Sequence, residues 1–139
     1  MKISPAAEFA IRGSLVLAAK FGHGPVTLDA VCAARGLAKQ YLTKIFAALA
    51  KAQIITPVRG KNGGFVLSRP PRDITLLQVV EAVEGPIALN FCMQNPPQCD
   101  AVLGCNVHPV WTEIQTMIRE KLSRVTLDTC LRNNCKVPS

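Results

Sequence analysis

The run Gly-Lys-Asn-Gly-Gly at positions 60–64 limits how this chain can fold more than any other feature. Three glycines in five positions supply the backbone freedom that a tight hairpin tip needs. Ile54-Ile55-Thr56-Pro57-Val58-Arg59 precedes it and Phe65-Val66-Leu67-Ser68 follows. Both flanks are rich in residues that favour strands. Upstream, the pattern is helical. Residues 5–21 open on Pro5, which suits a first turn, and place Phe9, Leu15, Val16 and Ala19 on a 3.6-residue repeat. Gly-His-Gly-Pro at 22–25 ends that run, with His23 as a solvated loop residue. Thr27 can cap a second, short helix that Gly36 stops.

A third helix is predicted over 38–50. Tyr41, Leu42, Ile45, Phe46 and Leu49 share its apolar face, and Lys39, Gln40, Thr43, Lys44 and Lys51 lie on the other. Two short helices around a glycine turn, the second basic on its outer side, form a helix-turn-helix pattern. The glycine-tipped hairpin completes a winged helix. Arg59 and Lys61 then sit on the wing, where a cation meets phosphates or a minor groove. The expected fold class is mostly α with a two-stranded β wing, followed by a long dimerisation helix.

Charge divides along the same line. Residues 1–73 hold eleven Lys/Arg against three acids, whereas residues 74–139 hold five against six. A basic front half suits a polyanion, and a near-neutral back half suits sensing or assembly. We therefore expect a DNA-binding unit over 1–72. Residues 73–139 are expected to form a linker helix, a cysteine loop at about 90–108 and dimerisation helices. Thr75 can cap the linker helix through about residue 83, and Gly85-Pro86 ends it. A longer helix is expected over 109–124, with Trp111, Ile114, Ile118, Leu122 and Val125 recurring on one stripe beside Met117. That stripe is too large for the front unit to cover alone, so a second subunit is expected to bury it. No apolar run is long enough to span a membrane, which points to a cytoplasmic protein.

The run FCMQNPPQCDAVLGCNVHPVW carries Cys92, Cys99, Cys105 and His108 in the spacing C-x6-C-x5-C-x2-H. Its prolines, glycine and asparagines leave no helical or strand period, so something beyond its backbone must order it. Three thiolates and an imidazole can close a first-row metal site. Spacing alone does not decide between a Cys3His zinc site and an iron–sulfur cluster. A metal-free thiol switch using the same cysteines is a further reading. A Cys–His nucleophile pair is not supported, because no acidic group orients His108 and no oxyanion donors are evident. Cys32 lies in an apolar stretch as a core thiol, and Cys130 and Cys135 read as bystanders or as a regulatory disulfide.

A family resemblance spans nearly the whole chain. It is carried by MKIS and AAEFAIR at the start, GLAKQYLTKIFAALAKAQII, the wing VRGKNGGFVLSR, DITLLQVVEAVEG, and the three-cysteine loop ending in HPVW. On these segments the chain resembles the Rrf-type family of bacterial transcription regulators, which takes in the IscR-, NsrR- and RirA-like iron–sulfur regulators. The resemblance implies a homodimer, with the long helix at its interface, on a pseudo-palindromic double-stranded DNA operator. It implies an iron–sulfur cluster with Cys92, Cys99 and Cys105 as its thiolates. The fourth ligand it implies is His108 if the cluster is 2Fe–2S, or Glu8 of the other subunit if it is 4Fe–4S. It also implies that Gln40, Thr43 and Lys44 read bases and that Arg59 enters a groove. One branch has glutamate where this chain has Thr43, so that branch's switch between two kinds of site is not implied here.

Overall fold

The computed structural model describes residues 3–94, 100 and 102–133 of the chain. The first helix, α1, spans Pro5–Ala19. Ser4 starts it, its hydroxyl accepting from the Ala7 amide at 3.2 Å, and Pro5 follows at the first helical position, where no donor is required. The second, α2, spans Leu28–Arg35 and is capped by Thr27 Oγ1, which accepts from Ala30 N at 3.1 Å. It ends at Gly36 in the left-handed conformation, φ +62°. The third, α3, spans Lys39–Lys51 and buries Leu42, Ile45, Phe46 and Leu49. A methyl group at Gly13 would lie 2.7 Å from the Phe46 ring, so α1 and α3 touch through a glycine. Close packing of this kind fixes the pose of α3.

Strands β1 (Ile55–Val58) and β2 (Gly64–Leu67) pair antiparallel, with Ile55 opposite Leu67 and Val58 opposite Gly64. The hairpin does not stand alone. Phe65 exchanges both backbone hydrogen bonds with Val26, at 2.9 and 2.8 Å, which ties the wing to the segment ahead of α2. Between α3 and β1, Gln53 adopts φ +61°, a conformation that suits glycine, and its carbonyl accepts from Arg69 Nη1 at 3.1 Å. Gln53→Gly is therefore expected to stabilise the protein by about 0.5–1 kcal/mol. The check is a higher urea midpoint at unchanged slope.

A 3-10 turn at Pro71–Asp73 leads to α4, Leu76–Glu84. Its start carries a complete capping box: Thr75 Oγ1 accepts from Gln78 N at 3.2 Å and Gln78 Oε1 accepts from Thr75 N at 2.9 Å. Short 3-10 turns at Phe91–Met93 and Val102–Gly104 precede α5, His108–Arg124. A last helix, α6, spans Leu127–Arg132 from a Thr126 cap; residue patterning had not separated it from what precedes it. Thr75 and Thr126 form an isolated antiparallel bridge, with Leu76 N bonded to Val125 O and Leu127 N to Ile74 O, each at 2.9 Å. Through this return, Ile74, Val79 and Leu127 join Leu17, Leu42 and Phe46 in one buried core.

No residue of α5 is fully buried. Trp111, Ile114, Ile118, Leu122 and Val125, the expected stripe, are half-covered. Val110 and Met117 stand 51% and 61% exposed. An apolar groove of about 780 Å³ runs beside the helix, walled by Ile3, Val80, Pro86, Ile87, Ile118 and Leu122. Among the described residues, no helix is long and apolar enough to cross a membrane.

Candidate DNA-reading face and cysteine loop

The outer side of α3 carries the residues expected to meet DNA. Lys39, Gln40, Thr43 and Lys44 are all exposed, as are Arg59 and Lys61 on the wing. Gln40, Thr43 and Lys44 come together around a shallow concavity of about 560 Å³. Tyr41 lines the same concavity. Periodicity had placed Tyr41 on the apolar face, yet it is 37% exposed and leans edge-on against Phe9, ring centroids 5.2 Å apart. The phenol is amphipathic, and at the margin of the buried stripe its tip reaches water. Thr43 spends its hydroxyl proton locally, donating to the Lys39 carbonyl at 2.8 Å. Lys39 is engaged by Asp29 of α2, Nζ to Oδ1 2.8 Å. The hydrogen bond it donates to that carboxylate, and then the carboxylate's charge, hold the Lys39 ammonium above its ordinary pKa.

The approach to the cysteine loop is fastened on both sides. The Ile87 amide donates to Glu81 Oε1 of α4 at 3.3 Å, and the same oxygen receives Arg119 of α5 in an ion pair. The Leu89 amide donates to Gln115 Oε1 of α5 at 3.0 Å. Beyond this clamp comes the turn holding Cys92, where Thr112 Oγ1 reaches Met93 Sδ at 3.8 Å. Cys92 and Cys105 are partly exposed free thiols. His108 is the first residue of α5, and its Nδ1 is buried without a hydrogen-bond partner among the described residues. A buried ring nitrogen is costly to leave unpaired, and an imidazole nitrogen is a donor that a first-row metal accepts.

Cys99 lies outside the described residues. Among those described, no three His, Cys, Asp or Glu side chains converge closely enough to hold a metal ion. Glu8 sits on an exposed face of α1, with Arg12 Nη2 3.4 Å from its Oε1. Cys32 is partly covered, packed against the core from α2. Burial pushes the Cys130 thiol above its usual pKa, which disfavours the reactive thiolate. Cys135, its candidate disulfide partner, lies outside the described residues.

Comparison with known proteins agrees with this architecture. Residues 3–133 match the model of the Rrf2 family, described as iron-dependent transcriptional regulators. The HTH-type transcriptional regulator IscR of Sodalis glossinidius is 29% identical over 133 residues, covering 96% of this chain and 80% of that protein. The solved structure of T. potens IscR superposes with a TM-score of 0.80 at 28% identity, covering 100% of this chain and 93% of the other. CymR (YrzC), the global cysteine regulator of B. subtilis, gives a TM-score of 0.81 at 25% identity, covering 96% and 98%. Matched by the family model over residues 3–133 and superposing on these structures over nearly its whole length, the chain belongs to the Rrf2 family of winged-helix transcriptional regulators.

Proposed function

We propose that the chain works as a cytoplasmic homodimer whose grip on a pseudo-palindromic DNA operator is set by an iron–sulfur cluster. Cys92, Cys99 and Cys105 would hold the cluster, with His108 or Glu8 of the partner subunit as fourth ligand. The buried Nδ1 of His108, without a partner among the described residues and at the end of a loop with two partly exposed thiols, is the observation that carries this reading. Bound there, a cluster supplies a centre sensitive to iron supply, oxygen and nitric oxide. The chain's own part is mechanical. Glu81, Gln115 and Arg119 tie the loop's approach to α4 and α5, and α4 packs on α1, which carries α3. Ordering the loop thereby biases the separation of two recognition helices, which must lie about 34–36 Å apart for successive half-sites. The half-covered stripe of α5 is the face offered to the second subunit.

Visible spectroscopy and acid-labile sulfide on anaerobically prepared protein test the assignment, with His108→Ala and Glu8→Ala alongside wild type. Wild type should be coloured, and the substitution that bleaches or shifts the spectrum names the fourth ligand. A colourless protein with stoichiometric zinc would point instead to a structural Cys3His site. A second reading, a metal-free thiol switch, draws support from the likeness to a cysteine regulator and from the partial exposure of Cys92 and Cys105. It expects colourless, metal-free protein that loses two protons by mass on peroxide treatment.

On the DNA side, Gln40, Thr43 and Lys44 would read bases, and Arg59 and Lys61 would hold the backbone from the wing. Lys44→Ala and Arg59→Ala should each weaken binding, Lys44→Ala with relaxed sequence preference and Arg59→Ala with a log–log salt dependence flatter by roughly one phosphate contact, about 0.9 in slope. Neither should alter the visible spectrum. A bleached spectrum in either variant would show that the two sites are not separable.

A further inference from the structure

Between Glu8 and Asp73 the chain has a single carboxylate, Asp29, set among ten lysines and arginines. That one acid is spent on a cation at the start of the recognition helix. Asp29 lies in the first turn of α2, and Lys39 is the first residue of α3. Their 2.8 Å ion pair holds the lysine's ammonium against the first turn of α2. The two side chains are 61% and 75% exposed, so water screens the pair and folding gains little from it. Nor is the carboxylate needed as a helix cap, since Thr27 already fills that place. What the pair does change is where a positive charge is available.

We infer that Asp29 limits the affinity of the DNA-reading face: by engaging Lys39 it withholds one cation from the phosphate backbone. The inference rests on the placement of that face proposed above. A lysine on a phosphate raises affinity for every sequence equally and carries no base information. Neutralising one lysine at the helix start therefore weakens the hold on every sequence alike and leaves Gln40, Thr43 and Lys44 to discriminate.

The test measures binding of the full-length protein to two probes over a salt series. One is a 30-base-pair duplex of random sequence; the other is a duplex enriched by the wild-type protein from a random pool. Asp29→Asn should bind the random duplex roughly five- to tenfold more tightly at 0.1 M salt, with a salt slope steeper by about 0.9, the yield of one added phosphate contact. The enriched duplex should gain by the same factor, leaving the preference for it unchanged. In a Lys39→Met background the same substitution should give no such gain. Unchanged or weaker binding of the random duplex by Asp29→Asn would overturn the inference, as would a gain that persists without Lys39. Lys44→Ala, run in parallel, checks the face itself: if it leaves both probes untouched, the interface is misplaced, and that failure is distinct from Asp29 having no effect. Circular dichroism on each variant guards against loss of fold, and Asp29→Ser serves as a second neutral replacement.

Discussion

Cys105→Ala is expected to emerge colourless from anaerobic preparation, yet to melt with cluster-free wild type to within about 0.5 kcal/mol of stability. The two halves of this expectation come from different places. Loss of colour follows from removing one of three thiolates on which the proposed centre depends. Retained stability follows from the packing: neither Cys92 nor Cys105 belongs to the buried core that runs from Ala10 to Leu127. In operator binding the variant should behave as chelator-stripped wild type does, separated from the loaded protein by a coupling of about 1–3 kcal/mol, or five- to 150-fold. Absorbance with matched protein concentration reads the first half and thermal melting the second. Retained visible absorption would remove Cys105 from the ligand set. Unfolding would mean that the loop bears on the core after all.

The largest expected effect on stability lies in the wing. A methyl group added at Gly63 would stand 2.3 Å from the Val58 carbonyl oxygen, and one at Gly64 would stand 2.5 Å from that of Val26, where φ is already +154°. Both obstacles are backbone, so neither can rotate away. Gly63→Ala and Gly64→Ala should each cost about 2–4 kcal/mol, as strain or as an opened hairpin. If the hairpin opens, Arg59 and Lys61 are no longer held beside α3. Loss of the two phosphate contacts proposed for them then lowers DNA affinity roughly 50-fold at 0.1 M salt. Gly22→Asn is the control: φ is +85° there and nothing lies within 4 Å of the added carbon. It should leave stability and binding within about 1 kcal/mol of wild type. Chemical denaturation and fluorescence anisotropy on all three variants provide the measurements.

Elements governed by nearby residues were readable from the chain. Thr27 and Thr75 cap where expected because a hydroxyl reaches an amide three residues on, and Gly36 stops α2 because it takes the left-handed turn without a Cβ penalty. The strands expected over 54–59 and 65–68 are Ile55–Val58 and Gly64–Leu67, displaced by a residue at their ends. What residue patterning did not show is tertiary. Pairing of Val26 with Phe65 and of Thr75 with Thr126 joins segments far apart in sequence, and no local period announces either. Tyr41 was assigned to the buried stripe because helical phase cannot see where that stripe ends. Lys39 was correctly placed outward, but its pairing with Asp29 depends on how α2 lies against α3. At the cysteine loop the donor types and spacing were plain from the sequence. The burial of His108 Nδ1 was not, since it depends on what packs around the start of α5.

The bridge between Thr75 and Thr126 has a consequence for how such regulators diversify. It brings the start of the α4–α5 segment and its return side by side at one gate beside the buried core. The stretch between α4 and α5 can lengthen or shorten without re-threading the rest, because the ends it must meet are held by this bridge and by α4, whose Val79 is buried. On the function proposed above, a chimera that exchanges that stretch and keeps α4 should inherit its operator from one parent and its stimulus from the other.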